Sequence, residues 1–168
     1  MSVASFRRGY EAFLEWIAIV LMTALAIEVM AGVIFRYSGY SLVWYDEVAT
    51  ILLAWVTFYG SALAVLKHGH MGVPEIVRMM PLGPRLAVTV FAQAATLAFY
   101  VLLAWTGVTI LEILKTDSLV SLPWVSVAVT NSVIPISAVL IIIAQVLVFP
   151  EVLEEARRGK VAKAEELI

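Results

Sequence analysis

Glu28, the adjacent pair Asp46 and Glu47, and the pair His68 and His70 are the side chains in this sequence whose type and setting permit chemistry. Glu28 is the one charged residue in an apolar run from Trp16 to Phe35, about 12 Å along a helix from Arg36 at ~1.5 Å of rise per residue. A carboxyl group at that depth is costly. It serves either proton or cation exchange, or a hydrogen bond to a neighbouring helix or partner chain across the small residues Ala24, Ala31 and Gly32, and the bonding role is favoured. Asp46 and Glu47 would suit a cation, but carboxylates at a helix start are favoured by the helix dipole in any case, and Arg36 is available across the turn as their partner. His68 and His70 are spaced as a weak metal pair with Glu75 as the nearest further ligand, whereas a metal centre needs three or four ligands and a haem needs histidines on facing helices. No nucleophile paired with a base and no phosphate-cradling glycine loop stands out, so neither enzymatic chemistry nor a bound cofactor is expected.

The elements that must hold these residues are apolar. Of 168 residues 62% are hydrophobic and 14% charged, with a mean hydropathy of +0.98, which leaves too little polar surface to cover a water-soluble globule. From Val48 to Leu66, 19 residues carry no charged side chain, close to the length needed to cross a bilayer's hydrocarbon. The chain reads as all-α: one integral membrane domain over residues 1–168 with four transmembrane helices, at about 13–35, 48–66, 86–111 and 125–149, and a charged tail over 150–168. Between helices 2 and 3, Ile76, Val77, Met79 and Met80 alternate with Glu75, Arg78 and Arg85 among prolines, a pattern for a short helix lying in the membrane interface. Ala24 and Ala26 have the spacing of a signal-cleavage site, but the apolar run continues past Ala26 to Phe35, so an uncleaved span is expected. Pro135 lacks an N–H and crowds the Asn131 carbonyl, so a kink is expected in helix 4. Gln93 and Asn131 are neutral polar residues expected to join helices. The net charge of −2 gives no sign of nucleic-acid binding, and the absence of cysteine rules out disulfides and thiolate sites.

Lysine and arginine set the orientation. Arg7 and Arg8 precede helix 1, Lys67, Arg78 and Arg85 lie between helices 2 and 3, and Arg157, Arg158, Lys160 and Lys163 follow helix 4, whereas the other two loops hold only Arg36 and Lys115. The excess places both termini and the middle loop in the cytoplasm.

Phe35-Arg36-Tyr37, then Trp44, Glu47, Trp55 and Gly60, then Gly69-His70, with Leu122-Pro123-Trp124 before helix 4 and Ile134-Pro135-Ile136 within it, follow in an order that resembles the small membrane subunit of tripartite ATP-independent periplasmic (TRAP) transporters, the DctQ-like family. The resemblance covers all four helices. After His70 the chain departs from it, reading Met71-Gly72-Val73-Pro74 where the family often has an acidic residue. The resemblance implies a multi-pass subunit of the bacterial inner membrane in a sodium-coupled uptake system for organic acids. Its implied partners are a large membrane subunit, bound as a heterodimer, a periplasmic solute-binding protein, and the lipid bilayer. In that setting the chain is expected to scaffold the large subunit and to help dock the binding protein. By position and match, Glu28, Arg36, Glu47, Trp55, Gly60 and Pro135 are expected at subunit or helix contacts, with Arg36 tied to Asp46 or Glu47, while Trp44, Trp124 and His70 are expected as anchors at the membrane surface. The competing readings are the small subunit of a tripartite tricarboxylate transporter and a small proton-coupled exporter that uses Glu28 in a homodimer.

Overall fold

The computed structural model describes residues 3–40, 42–67 and 80–158, and within them the regular structure is helical. Four long stretches are apolar enough to cross a membrane. Helix α1 runs over Val3–Tyr37, α2 over Tyr45–Leu66 and α3 over Leu82–Leu114, and the fourth span is made of α4, Val127–Asn131, and α5, Val133–Arg158.

Every span is longer than hydropathy alone indicates. At its start, α1 extends through Arg7, Arg8, Glu11 and Glu15, charged residues that interrupt the apolar run without disturbing the backbone ladder. At its end, α1 closes in a Schellman turn: the Gly39 N–H donates to the Arg36 carbonyl at 3.3 Å and the Tyr40 N–H to the Phe35 carbonyl at 3.1 Å. Gly39 takes φ +83°, which glycine adopts without steric cost. Asp46 and Glu47 occupy the first turn of α2, where the helix dipole favours them.

Around Pro135, where a kink is expected in helix 4, the helix is interrupted at Ser132. Ser132 keeps right-handed helical dihedrals (φ −60°, ψ −22°) but the hydrogen-bond ladder is interrupted there, so that Pro135 falls in the first turn of α5, where a missing N–H costs little. Helix α5 passes through Pro150 and continues to Arg158, so residues 150–158 of the charged tail are helical.

The helices pack chiefly as neighbours in the order α1, α2, α5, α3, and α4 rests against α3 and α5. Helix α5 is the most buried of them. Its inward stripe reads Ser137, Ala138, Ile141, Ala144, Gln145 and Val148, spaced by three and four residues, and it meets Ala62, Val65 and Leu66 of α2 and Leu14 of α1. Alanines at these positions let the backbones approach closely, the means by which helices associate where lipid removes the hydrophobic driving force. Outside this cluster the faces of α1 and α3 are widely exposed and apolar: Trp16, Ile27 and Met30 on α1, Phe91, Phe99 and Trp105 on α3.

Candidate functional site

The chain order brings its polar side chains together at three levels, one at each end of the bundle and one between. At the end formed by the 38–44 and 115–126 loops, Glu47 in the first turn of α2 reaches the loop that follows α3. Its carboxylate accepts from the Ser121 N–H at 2.9 Å, from the Val120 N–H at 3.2 Å and from the Ser121 hydroxyl. The loop is itself ordered by a short antiparallel bridge, in which the Leu119 N–H donates to the Val125 carbonyl at 3.0 Å and the Val127 N–H to the Asp117 carbonyl at 2.9 Å. Ser126 then caps α4 by accepting from the Ala128 N–H.

Between the ends, three close approaches fix the interior. The Trp55 indole N–H donates to the Thr130 carbonyl at 2.9 Å, satisfying one of the acceptors that the short helix α4 leaves open. Gly107 of α3 lies against Pro135, where an added Cβ would stand 3.1 Å from the proline ring. Gly32 of α1 lies against the Tyr45 ring, which occupies the space a Cβ would need. Deeper in the span, the Gln145 amide donates to both the backbone and the side-chain oxygen of Gln93, at 2.9 and 2.8 Å, and so joins α5 to α3.

At the opposite end the charges interlock. Lys67, which follows α2, pairs with Glu11 at 3.5 Å and with Glu15 on α1, and the hydrogen bond that it donates to Glu15 raises its pKa. Arg7 pairs with Glu151 of α5 and donates to the Leu66 carbonyl at 3.4 Å. Arg85 is buried at the start of α3 and donates to the Arg157 carbonyl at 3.3 Å, placing a cation at the negative end of α5. Tyr10 completes this level with a 2.7 Å hydrogen bond from its hydroxyl to the Leu140 carbonyl.

These contacts revise several expectations. Glu47 turns to Ser121 and Val120 rather than to Arg36, and no ion pair joins Arg36 to Asp46 or Glu47 among the described residues. Arg36 is exposed in the last turn of α1, where the helix dipole favours a cation without a partner. Trp55 is spent within the chain. Gly60 is half-buried, and an added Cβ there would meet nothing within 4 Å among the described residues. Asn131 bonds within its own helix, to the Val127 carbonyl, and joins no other helix among the described residues, whereas Gln93 does. Glu28 is half-buried on α1 and makes no hydrogen bond or ion pair with another described residue. Trp124 is 80% exposed in the loop before α4, and Trp44 lies at the start of α2. His68, His70, Glu75 and the expected interfacial helix fall in 68–79, outside the described residues.

Gln145, Gly107, Ser121 and the Lys67 clamp go unrecognised as contacts in the sequence. Gln145 carries the same signal as Gln93, an uncharged polar side chain in a span, and that signal points to both.

Taken together, the described residues define a helical membrane protein with four spans, held to one another by polar contacts at both ends and at mid-depth. Residues 25–155 match the family described as "Tripartite ATP-independent periplasmic transporters, DctQ component", and the chain belongs to that family. It is therefore a small subunit of a TRAP transporter and a multi-pass protein of the inner membrane. Its sequence is 30% identical over 90 residues to the C4-dicarboxylate TRAP transporter small permease protein DctQ of Vibrio cholerae serotype O1. That stretch covers 53% of this chain and 39% of the relative's length.

Proposed function

We propose that this subunit is a fixed scaffold for the large membrane subunit of its transporter, bound to it as a heterodimer, in a sodium-coupled uptake system for organic acids. The observation that carries this reading is the open, row-like packing of α1, α2, α5 and α3, in which Glu47, Trp55, Gln145, Lys67 and Arg7 tie the chain to itself while long apolar faces of α1 and α3 stay uncovered. A chain that moves substrate by itself needs polar groups around a path, usually from repeated broken helices. Here the polar groups stitch helices together. Such a wall suits the stationary half of a transporter whose large subunit carries the moving part.

The lysine and arginine distribution supports an arrangement with both termini and the 67–80 segment in the cytoplasm, which puts the Lys67 and Arg7 clamps on the cytoplasmic side and the Glu47 clamp on the periplasmic side. The loop held by Glu47 is the periplasmic face offered to the solute-binding protein. The name of the Vibrio cholerae relative supports C4-dicarboxylates as the substrate class.

Co-expression with the neighbouring large membrane subunit tests this. A one-to-one complex by native mass in detergent is expected, with no uptake by either subunit alone. Recovery of this chain only as a homodimer would overturn it and favour the exporter reading of Glu28.

A further inference from the structure

Between α3 and α5 a cleft of about 290 Å³ opens at the level of Gln93 and Gln145. Its other walls are apolar: Val90, Ala94 and Leu97 from α3, Val146 and Phe149 from α5. The two glutamines satisfy each other only in part. Both acceptors on Gln93 take their hydrogen from the Gln145 amide nitrogen, which leaves the Gln93 amide nitrogen with no hydrogen-bond partner among the described residues. The Gln145 amide oxygen is likewise without a partner, on a side chain whose residue is 5% exposed. The Gln93 donor is thus left open to the cleft, while the Gln145 acceptor is enclosed behind it.

Depth decides what can meet that donor. Gln93 lies eight residues beyond Arg85 and Gln145 six residues before Glu151, about 12 and 9 Å along their helices from those charged side chains. Acyl chains supply neither donors nor acceptors at such a level, and an unmet amide in hydrocarbon is costly. A side chain that accepts a hydrogen bond answers the Gln93 donor, and it reaches this depth only on another membrane helix.

We propose that the Gln93–Gln145 cleft seats a transmembrane helix of the large subunit through one hydroxyl or carboxamide side chain. Ala94 leaves room for the incoming backbone, and Val90, Val146 and Phe149 surround it with apolar contacts. The inference rests on the heterodimer proposed above and identifies the face of this chain that the heterodimer uses.

The test is photocrosslinking of the full chain co-expressed with its large subunit. A benzophenone amino acid is placed at Val90 or Val146 on the rim, and at Trp16 on α1 as a position away from the cleft. Adducts with the large subunit are expected from the two rim positions and not from Trp16. Ala94→Trp, at an exposed position that fills the cleft, is expected to lower recovery of the heterodimer about tenfold and to remove the rim adducts, with the subunit's own melting unchanged. A heterodimer that forms normally with Ala94→Trp overturns the cleft and leaves the scaffold reading standing, as do rim adducts with lipid alone or with a second copy of this chain. Failure to recover any heterodimer from the unmodified chain overturns both.

Discussion

Trp55 and Thr130 meet through an indole N–H and a backbone carbonyl at 2.9 Å, and this bond ties the middle of α2 to the short helix that precedes α5. The carbonyl is open because the helix stops at Ser132, and the helix stops there because Pro135 follows with no N–H for the Asn131 carbonyl. Trp55→Phe keeps the ring volume and removes the donor. Its expected cost is about 1 kcal/mol, the scale of single hydrogen bonds between membrane helices. The isolated subunit should melt a few degrees lower in detergent while its affinity for the large subunit stays the same. Loss of complex without loss of subunit stability would show that Trp55 faces the partner instead.

Glu47 makes the clearest case for a loop held by one side chain, since it accepts from two backbone N–H groups and a hydroxyl in 120–121. Glu47→Ala should free the 116–125 loop, seen as faster proteolysis there. Arg36→Glu should leave the loop intact. A double-mutant cycle is the direct measurement, with coupling expected between Glu47 and Ser121 and none between Glu47 and Arg36.

The four spans and the family order of residues are legible in the sequence because hydropathy accumulates over some twenty positions and needs no knowledge of facing. Facing is another matter. In helices that are apolar all round, the periodic signal that marks an inward stripe is absent, so Ser137, Ala138, Ile141, Ala144 and Val148 do not stand out as the core. Partners distant in sequence are hidden for the same reason: Glu47 has a cation nearby in the chain and takes a distant serine instead, because three directed donors converge on it. The extension of α1 and α5 beyond the apolar runs is legible only once Arg7 is seen to meet Glu151.

Gly107 and Pro135 set the separation of α3 from the start of α5, with a Cβ at 107 predicted to stand 3.1 to 3.3 Å from three atoms of the proline. Gly107→Ala calls for a few tenths of an ångström of yielding, whereas Gly107→Leu forces the helices apart. The larger change should cost about 1–3 kcal/mol, the range for overpacked interiors, and should lower the detergent melting temperature well beyond the alanine variant. Equal melting of the two would show that α3 is free to shift.

Lys67 carries a pH dependence of definite sign. Its hydrogen bond with Glu15, together with the charges of Glu15 and Glu11, raises its pKa above the ordinary 10.5. A raised folded-state value means that the clamp contributes fully below the ordinary value and is lost as pH climbs through the folded one. The α1–α2 ends should therefore stay together throughout the neutral range and separate only in strong alkali, as followed by energy transfer between labels near Glu11 and Lys67. Lys67→Met should abolish that alkaline step. A transition near neutrality would point to another group.

Glu28 distinguishes a scaffold from an exchanger. It sits within a span, half-buried, with no described side chain bonded to it. If it meets a donor on the large subunit, a neutral amide of the same shape can replace it: Glu28→Gln should support uptake at close to the native rate, and Glu28→Leu should weaken the complex without changing the coupling ion. If it exchanges a proton or cation, Glu28→Gln abolishes transport outright, because an amide has no proton to give up and no charge to offer. The two variants measured side by side, uptake for one and complex recovery for the other, give opposite patterns under the two roles. The uncovered apolar face of α1 around it, with Ile27 and Met30 exposed, favours the first.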